Sequence, residues 1–337
     1  MTKSKIKFAA GALFLLFFAT SACDNNDDAD ELLGNWIERS DFEGKTRSSS
    51  VAFSIGDKAY VGTGFNGSDD EYFSDFWRYD PQLNFWQKMA DFPGTPRSSA
   101  VGFSVNEKGY VGTGFDGDDE LGDFWEYNPD TNEWTQKADF GGSARRSAVG
   151  FGLNGKGYIG TGYDGSNLKD FWEYNPQEDT WAQIPSLGGS KRKDAVAFVL
   201  GNIAYVGTGI HNGTFEHDFW ALNGDLIGSE EFPWEQLQDL DVEDDYMILR
   251  QGAVGFGLNN RGYIATGSAG QITNTVWEYV PGSDIWQERT ALEGAARTDA
   301  IAFTVNDGAY VTTGRNGSTY YDDLWEFRPT EAYDEDD

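Results

Sequence analysis

The chain of 337 residues has one cysteine, two histidines and nine prolines. A single thiol, Cys23, excludes an internal disulfide, a two-thiol redox site and a cysteine-rich zinc site. The two histidines, His211 and His217, share one short stretch and no G-x-S-x-G occurs, which argues against a Ser-His-acid nucleophile. Phosphate loops and dinucleotide fingerprints are absent in a strand–helix context. Basic residues are in the minority: 25 Lys and Arg stand against 56 Asp and Glu, a formal net charge of −31. An acidic surface repels nucleic acid and anionic headgroups, so neither is an expected partner. Solubility is the plain reading of that charge, and cation binding is the other.

Glycine (42 residues) and aromatics (15%) are abundant, the mix of many short strands joined by tight turns. Tyr110-Val111-Gly112-Thr113-Gly114, followed eleven residues later by Trp125, is one of six copies; the others end at Gly64, Gly162, Gly209, Gly267 and Gly314. Each copy carries four strand patterns. In the second they fall at 100–105, 108–113, 123–127 and 133–137, separated by turn residues such as Asn106-Glu107 and Asn128-Pro129-Asp130. A four-stranded meander repeated at about fifty residues is the period of a propeller blade.

Twelve tryptophans fit this frame. Six lie on the third strands (Trp77, Trp125, Trp172, Trp220, Trp277, Trp325), five on the fourth (Trp86, Trp134, Trp181, Trp234, Trp286), and Trp36 precedes the first repeat. The last repeat stops after Phe327 without a fourth strand, so the strand around Trp36 is expected to supply it and close the ring, removing the open edges. On these residues the chain resembles the kelch-repeat, galactose oxidase-like propellers, with the family's diglycine replaced by Thr-Gly in all six copies. The expected fold is all-β: a six-bladed kelch-type β-propeller over residues 35–329, four antiparallel strands per blade.

The ends read differently. Lys3, Lys5 and Lys7 precede an apolar run at 8–22, too short for a comfortable membrane span, with Ser21 and Ala22 just before Cys23. This resembles a bacterial lipoprotein signal, which implies removal of residues 1–22, a lipidated Cys23, and a domain held at the cell envelope, in the periplasm or at the cell surface. Residues 23–34 read as an acidic, apolar-poor tether, and 330–337 as a disordered acidic tail. The membrane is expected to be touched only through the anchor, and the propeller to be monomeric.

In a meander, the loops between blades and the loops joining second to third strands share one edge. On that edge an arginine recurs seventeen residues before each Thr-Gly glycine: Arg47, Arg97, Arg145, Arg192, Arg250 and Arg297. Constant spacing implies constant geometry, hence six guanidinium groups around the channel mouth. Like charges about 10 Å apart repel by roughly 1–2 kcal/mol per pair at a dielectric near 20. The offsetting partners are Asp75, Asp123, Asp170, Asp218 and Asp323, as bidentate pairs; the functional reading is an anion or sugar-acid site. Blade five has Thr275 in place of Asp, and the connection from Trp234 to Arg250 is sixteen residues where the other five are eleven. Arg250 is therefore either the free member or the partner of the acidic insert. Phe65, Phe115, Tyr163, His211 and Arg315 begin loops on the same edge. They are candidates for stacking a sugar or clasping a peptide, or for packing on their own loops.

Enzyme chemistry is weakly supported. A copper radical oxidase needs two separated His ligands and a Tyr–Cys cross-link, which this chain does not offer. Some six-bladed kelch propellers are sialic acid mutarotases or epimerases using an Arg and a carboxylate, and that resemblance is the enzymatic alternative. No catalytic residue is assigned. Cofactors are not expected, calcium at 69–71 or 116–120 being the exception to weigh. The preferred reading is a tethered, non-catalytic module binding a glycan or protein ligand.

Overall fold

The computed structural model describes residues 32–241 and 247–334; residues 1–22, read above as a signal segment, Cys23 and 242–246 lie outside that range. Among the described residues every regular element is a strand. Six four-stranded antiparallel sheets run in the order first, second, third, fourth strand. In blade 2 these are Val101–Val105, Lys108–Gly112, Phe124–Asn128 and Glu133–Gln136. The first strands contact one another around a circle, with blade 6 returning to blade 1. This is the six-bladed propeller the repeats imply.

Closure occurs as the tryptophan pattern implies. The strand Leu33–Arg39 pairs antiparallel with Leu324–Ala332, placing Trp36 opposite Phe327. Two terminal boundaries differ from expectation. The tether and tail were expected to end at 34 and begin at 330, but Leu33 pairs with Ala332 and the Asp334 N–H bonds the Asn35 side chain. Composition alone marks these segments as polar, while ring closure gives their backbone a partner.

Packing lies between blades, in six apolar clusters that each join neighbouring sheets. At the first interface Phe53 stacks on Tyr60, and Tyr60 meets Tyr127 of the next blade at 5.4 Å. Gly109 is required there, since a Cβ would come within 2.1 Å of the Phe53 ring. Five outer-strand tryptophans, Trp36 among them, donate their indole N–H to a carbonyl of the preceding blade.

The Thr-Gly substitution has a conformational cost. Thr63, Thr113, Thr161, Thr208, Thr266 and Thr313 all sit at φ between 57° and 61°, a left-handed geometry costing an L-residue about 1–2 kcal/mol. It aims each threonine carbonyl at the recurrent arginine, whose Nη1 donates to it in all six blades.

Candidate functional site

The six arginines form a ring, but not an exposed one. Arg47, Arg97, Arg145, Arg192, Arg250 and Arg297 are all 0% accessible. Arg97 is representative. Its Nε donates to Thr95 O, Nη1 to Thr113 O and to Asp123 Oδ1 at 2.6 Å, and Nη2 to Asp123 Oδ2 at 2.8 Å. Phe92 lies under the guanidinium at 4.9 Å, and the Trp125 indole donates to the same carboxylate. Arg47–Asp75, Arg145–Asp170, Arg192–Asp218 and Arg297–Asp323 repeat the ion pair. Burial pushes the Asp75, Asp123 and Asp170 carboxyls up, and the arginine hydrogen bonds and charge more than offset it, leaving all three below the usual range. These arginines staple the inter-blade loop to its blade and are not a surface for ligands.

Blade five is repaired with neutral groups. Arg250 donates to Ile248 O, Thr266 O, Thr275 O, Met247 O and Thr275 Oγ1. Its five N–H groups are thereby occupied without a carboxylate among the described residues, and burial pushes the guanidinium down to about 10. It borders a cleft of about 620 Å³ with Met247, Ile272 and Thr275.

What does line the mouth is the residue two positions after each arginine. Ser49, Ser99, Ser147, Asp194, Gly252 and Asp299 form a closed backbone circle around the axis. Ser99 N–H donates to Ser49 O, Ser147 to Ser99, Asp194 to Ser147, Gly252 to Asp194, Asp299 to Gly252, and Ser49 to Asp299, at 2.8–3.3 Å. All six have φ between 53° and 59°. Below them, small side chains such as Ala52, Ser54, Ser104 and Ala302 line the channel.

The circle has one gap. Gly252 carries no side chain, and a Cβ there would meet Thr298 Oγ1 at 2.4 Å and Asp299 Oδ1 at 2.6 Å. Thr298 and Asp299 thus lean across the glycine into a pocket of about 350 Å³ lined also by Lys193, Asp194, Gln251, Ser268 and Arg315. Burial, foremost, raises the Asp299 carboxyl above the usual range; Arg315 opposes this and Asp194 adds to it. Arg315 reaches Asp299 at 3.0 Å, and Lys193 reaches Asp194 at 3.5 Å.

The next ring outward splits the mouth into two halves. In blades 1–3 the position after each Thr-Gly is Phe65, Phe115 or Tyr163, bridged to Ser48, Ser98 and Arg146 respectively. In blades 4–6 it is Ile210, Ser268 or Arg315, bridged to Lys193, Gln251 and Thr298. Phe65 packs on Tyr72 at 4.4 Å, and Arg146 lies 4.1 Å over Phe115 and 5.3 Å from Tyr163. His211 stands further out, its ring nitrogens meeting Asn167 and Asn212. Of the acidic loops weighed for calcium, Asp116 is occupied capping the N–H groups of Asp118 and Asp119, and Glu71 pairs with Lys45.

Sequence reasoning found Arg315, Phe65, Phe115 and Tyr163 on this face and missed Lys193, Asp194, Gln251, Gly252 and Asp299. The available signal was the same arginine register shifted by one and two residues: serine at the second offset in three blades, then Asp194, Gly252 and Asp299.

Residues 37–192 match the family model described as the KLHDC2/KLHL20/DRC7 Kelch-repeats domain. The solved structure titled "Structure of YjhT" superposes with a TM-score of 0.71 at 17% identity, covering 84% of this chain and 95% of that one. No curated protein matches the chain. Repeat, fold and superposition agree on a six-bladed β-propeller, with kelch repeats matched over residues 37–192.

Proposed function

We propose that this propeller is a non-catalytic binding module for a glycan, seated at the axial mouth over Gly252 and held at the bacterial envelope by a lipid on Cys23. The observation that carries it is the divided mouth. A polar pocket with two carboxylates, an amide, hydroxyls and two cations adjoins an aromatic sector within one rim. Sugars present hydroxyls on their edges and C–H groups on their ring faces, which such a pair of surfaces satisfies together. The gap is local to one blade, so it is not demanded by the fold, which carries Ser49, Ser99 and Ser147 at the same backbone angle.

Gly252→Ser tests it. The backbone tolerates serine here, as three blades show, while the new side chain displaces Thr298 and Asp299 into the pocket. On a glycan array followed by calorimetry, wild type is expected to bind and Gly252→Ser to lose at least tenfold in affinity while keeping the wild-type circular dichroism spectrum. Equal binding by the variant, or no glycan bound by wild type, overturns the reading. The raised Asp299 carboxyl beside Arg315 supports a second reading, an acid–base enzyme of the sugar mutarotase or epimerase type. Accelerated anomer exchange in sugar solutions followed by proton NMR would decide for it. For the anchor, Cys23→Ser is expected to move the protein from the membrane to the soluble fraction of expressing bacteria; a soluble wild type refutes it.

A further inference from the structure

His217 lies between the short strand Thr214–Phe215 and the third strand of blade 4, Trp220–Asn223. Asp239 and Asp241 lie in the one lengthened connection between blades, five residues longer than the other five. Leu240 between them is fully buried, in the apolar cluster joining blades 4 and 5, and its N–H donates to His217 O at 2.7 Å. That anchor brings two distant segments together. His217 Nδ1 stands 3.4 Å from Asp239 Oδ2 and 3.5 Å from Asp241 Oδ1, and the three donor atoms all lie within 4.8 Å of one another.

A His–Asp hydrogen bond would draw one oxygen to about 2.7–3.2 Å, and neither oxygen is that close. Metal bonds of about 2.1 Å to imidazole nitrogen and carboxylate oxygen, at tetrahedral angles, put neighbouring ligand atoms about 3.4 Å apart. Both separations agree with that edge. The second oxygen of Asp239 is held by the Gln236 amide at 3.3 Å, the kind of outer contact that orients a ligating carboxylate. Two carboxylates this close repel each other, and a shared cation offsets the repulsion.

We propose that His217, Asp239 and Asp241 bind a divalent transition metal of the zinc class. One imidazole with two carboxylates suits zinc, whereas calcium prefers six to eight oxygens. The ligands are 55%, 37% and 49% accessible, so the remaining coordination position faces water. This site is separate from the axial mouth and does not depend on the glycan reading.

The test uses the untagged mature chain and zinc alone, with calcium as the comparison. Calorimetry is expected to show one zinc ion per chain, and His217→Ala and Asp241→Asn each to weaken it at least tenfold. The chain has two histidines, so NMR provides an internal reference: zinc is expected to shift the His217 ring protons and leave those of His211 in place. Absence of stoichiometric zinc binding, full binding by His217→Ala, or a shift confined to His211 overturns the assignment. Because all three side chains reach the surface, the variants are expected to keep the wild-type melting curve, and binding lost together with the fold in both would also count against it.

Discussion

Arg97→Ala is expected to lower the folding free energy by about 3–5 kcal/mol, measured by urea denaturation. The guanidinium is wholly buried and serves three acceptors: Thr95 O, Thr113 O and the Asp123 carboxylate. Its removal leaves Asp123, with a side chain only 25% accessible, held by the Trp125 indole and a backbone N–H but by no cation. A buried charge that loses its partner is worth that much, whereas replacing the whole pair with apolar side chains is often neutral. Arg97→Met with Asp123→Leu is therefore expected to recover most of the loss. The sign with pH follows from the lowered Asp123 carboxyl. The pair's stabilisation is full above the unfolded carboxyl's usual value and is lost as pH falls through the lower folded one. The difference between wild type and Arg97→Ala should accordingly shrink in acid. A loss below about 1 kcal/mol, or a double variant no better than the single one, would show that the staple is dispensable.

Trp36→Ala is expected to cost a similar amount, about 3–5 kcal/mol, although Trp36 lies on the first of the described strands. The side chain is 0% accessible and packs on Phe327 at 4.6 Å. It also belongs to the cluster with Val254, Phe256 and Tyr263, and its indole N–H bonds Thr290 O. It therefore joins blade 6 to blade 5 as well as the N-terminus to the C-terminus. Loss of this strand would return an unpaired edge to Leu324–Ala332. Limited proteolysis is the second readout, with cleavage expected first at the terminal strands. A variant as stable and as resistant as wild type would mean that the ring holds together without its closing strand.

Much of this was legible from periodicity. Six arginines each seventeen residues before a Thr-Gly glycine, the Asp-x-Trp of five blades and the missing fourth strand are pattern facts, and each became a geometric one: the staple, the indole bond to the aspartate, and the Trp36 closure. Depth was not legible. The same spacing describes an arginine at the surface and one beneath it, and only packing against Phe92, Thr113 and Asp123 decides that Arg97 lies beneath. Blade five shows the same limit. Thr275 for aspartate was visible, but that carbonyls and its hydroxyl would take up the Arg250 donors was not, because four of the five acceptors are backbone oxygens and carry no residue signature.

The sequence by itself determined the number of blades, the order of strands within them, and the place where the ring shuts, because six copies of one four-strand pattern adopt one structure and the missing fourth strand has its counterpart at Trp36. The tertiary structure decided which residues are buried and which line the axial mouth. Six loops converge on one axis, so residues about fifty positions apart become neighbours in a circle. Which side chain fills a position there, as Thr298 and Asp299 do over Gly252, is settled only once the circle is made.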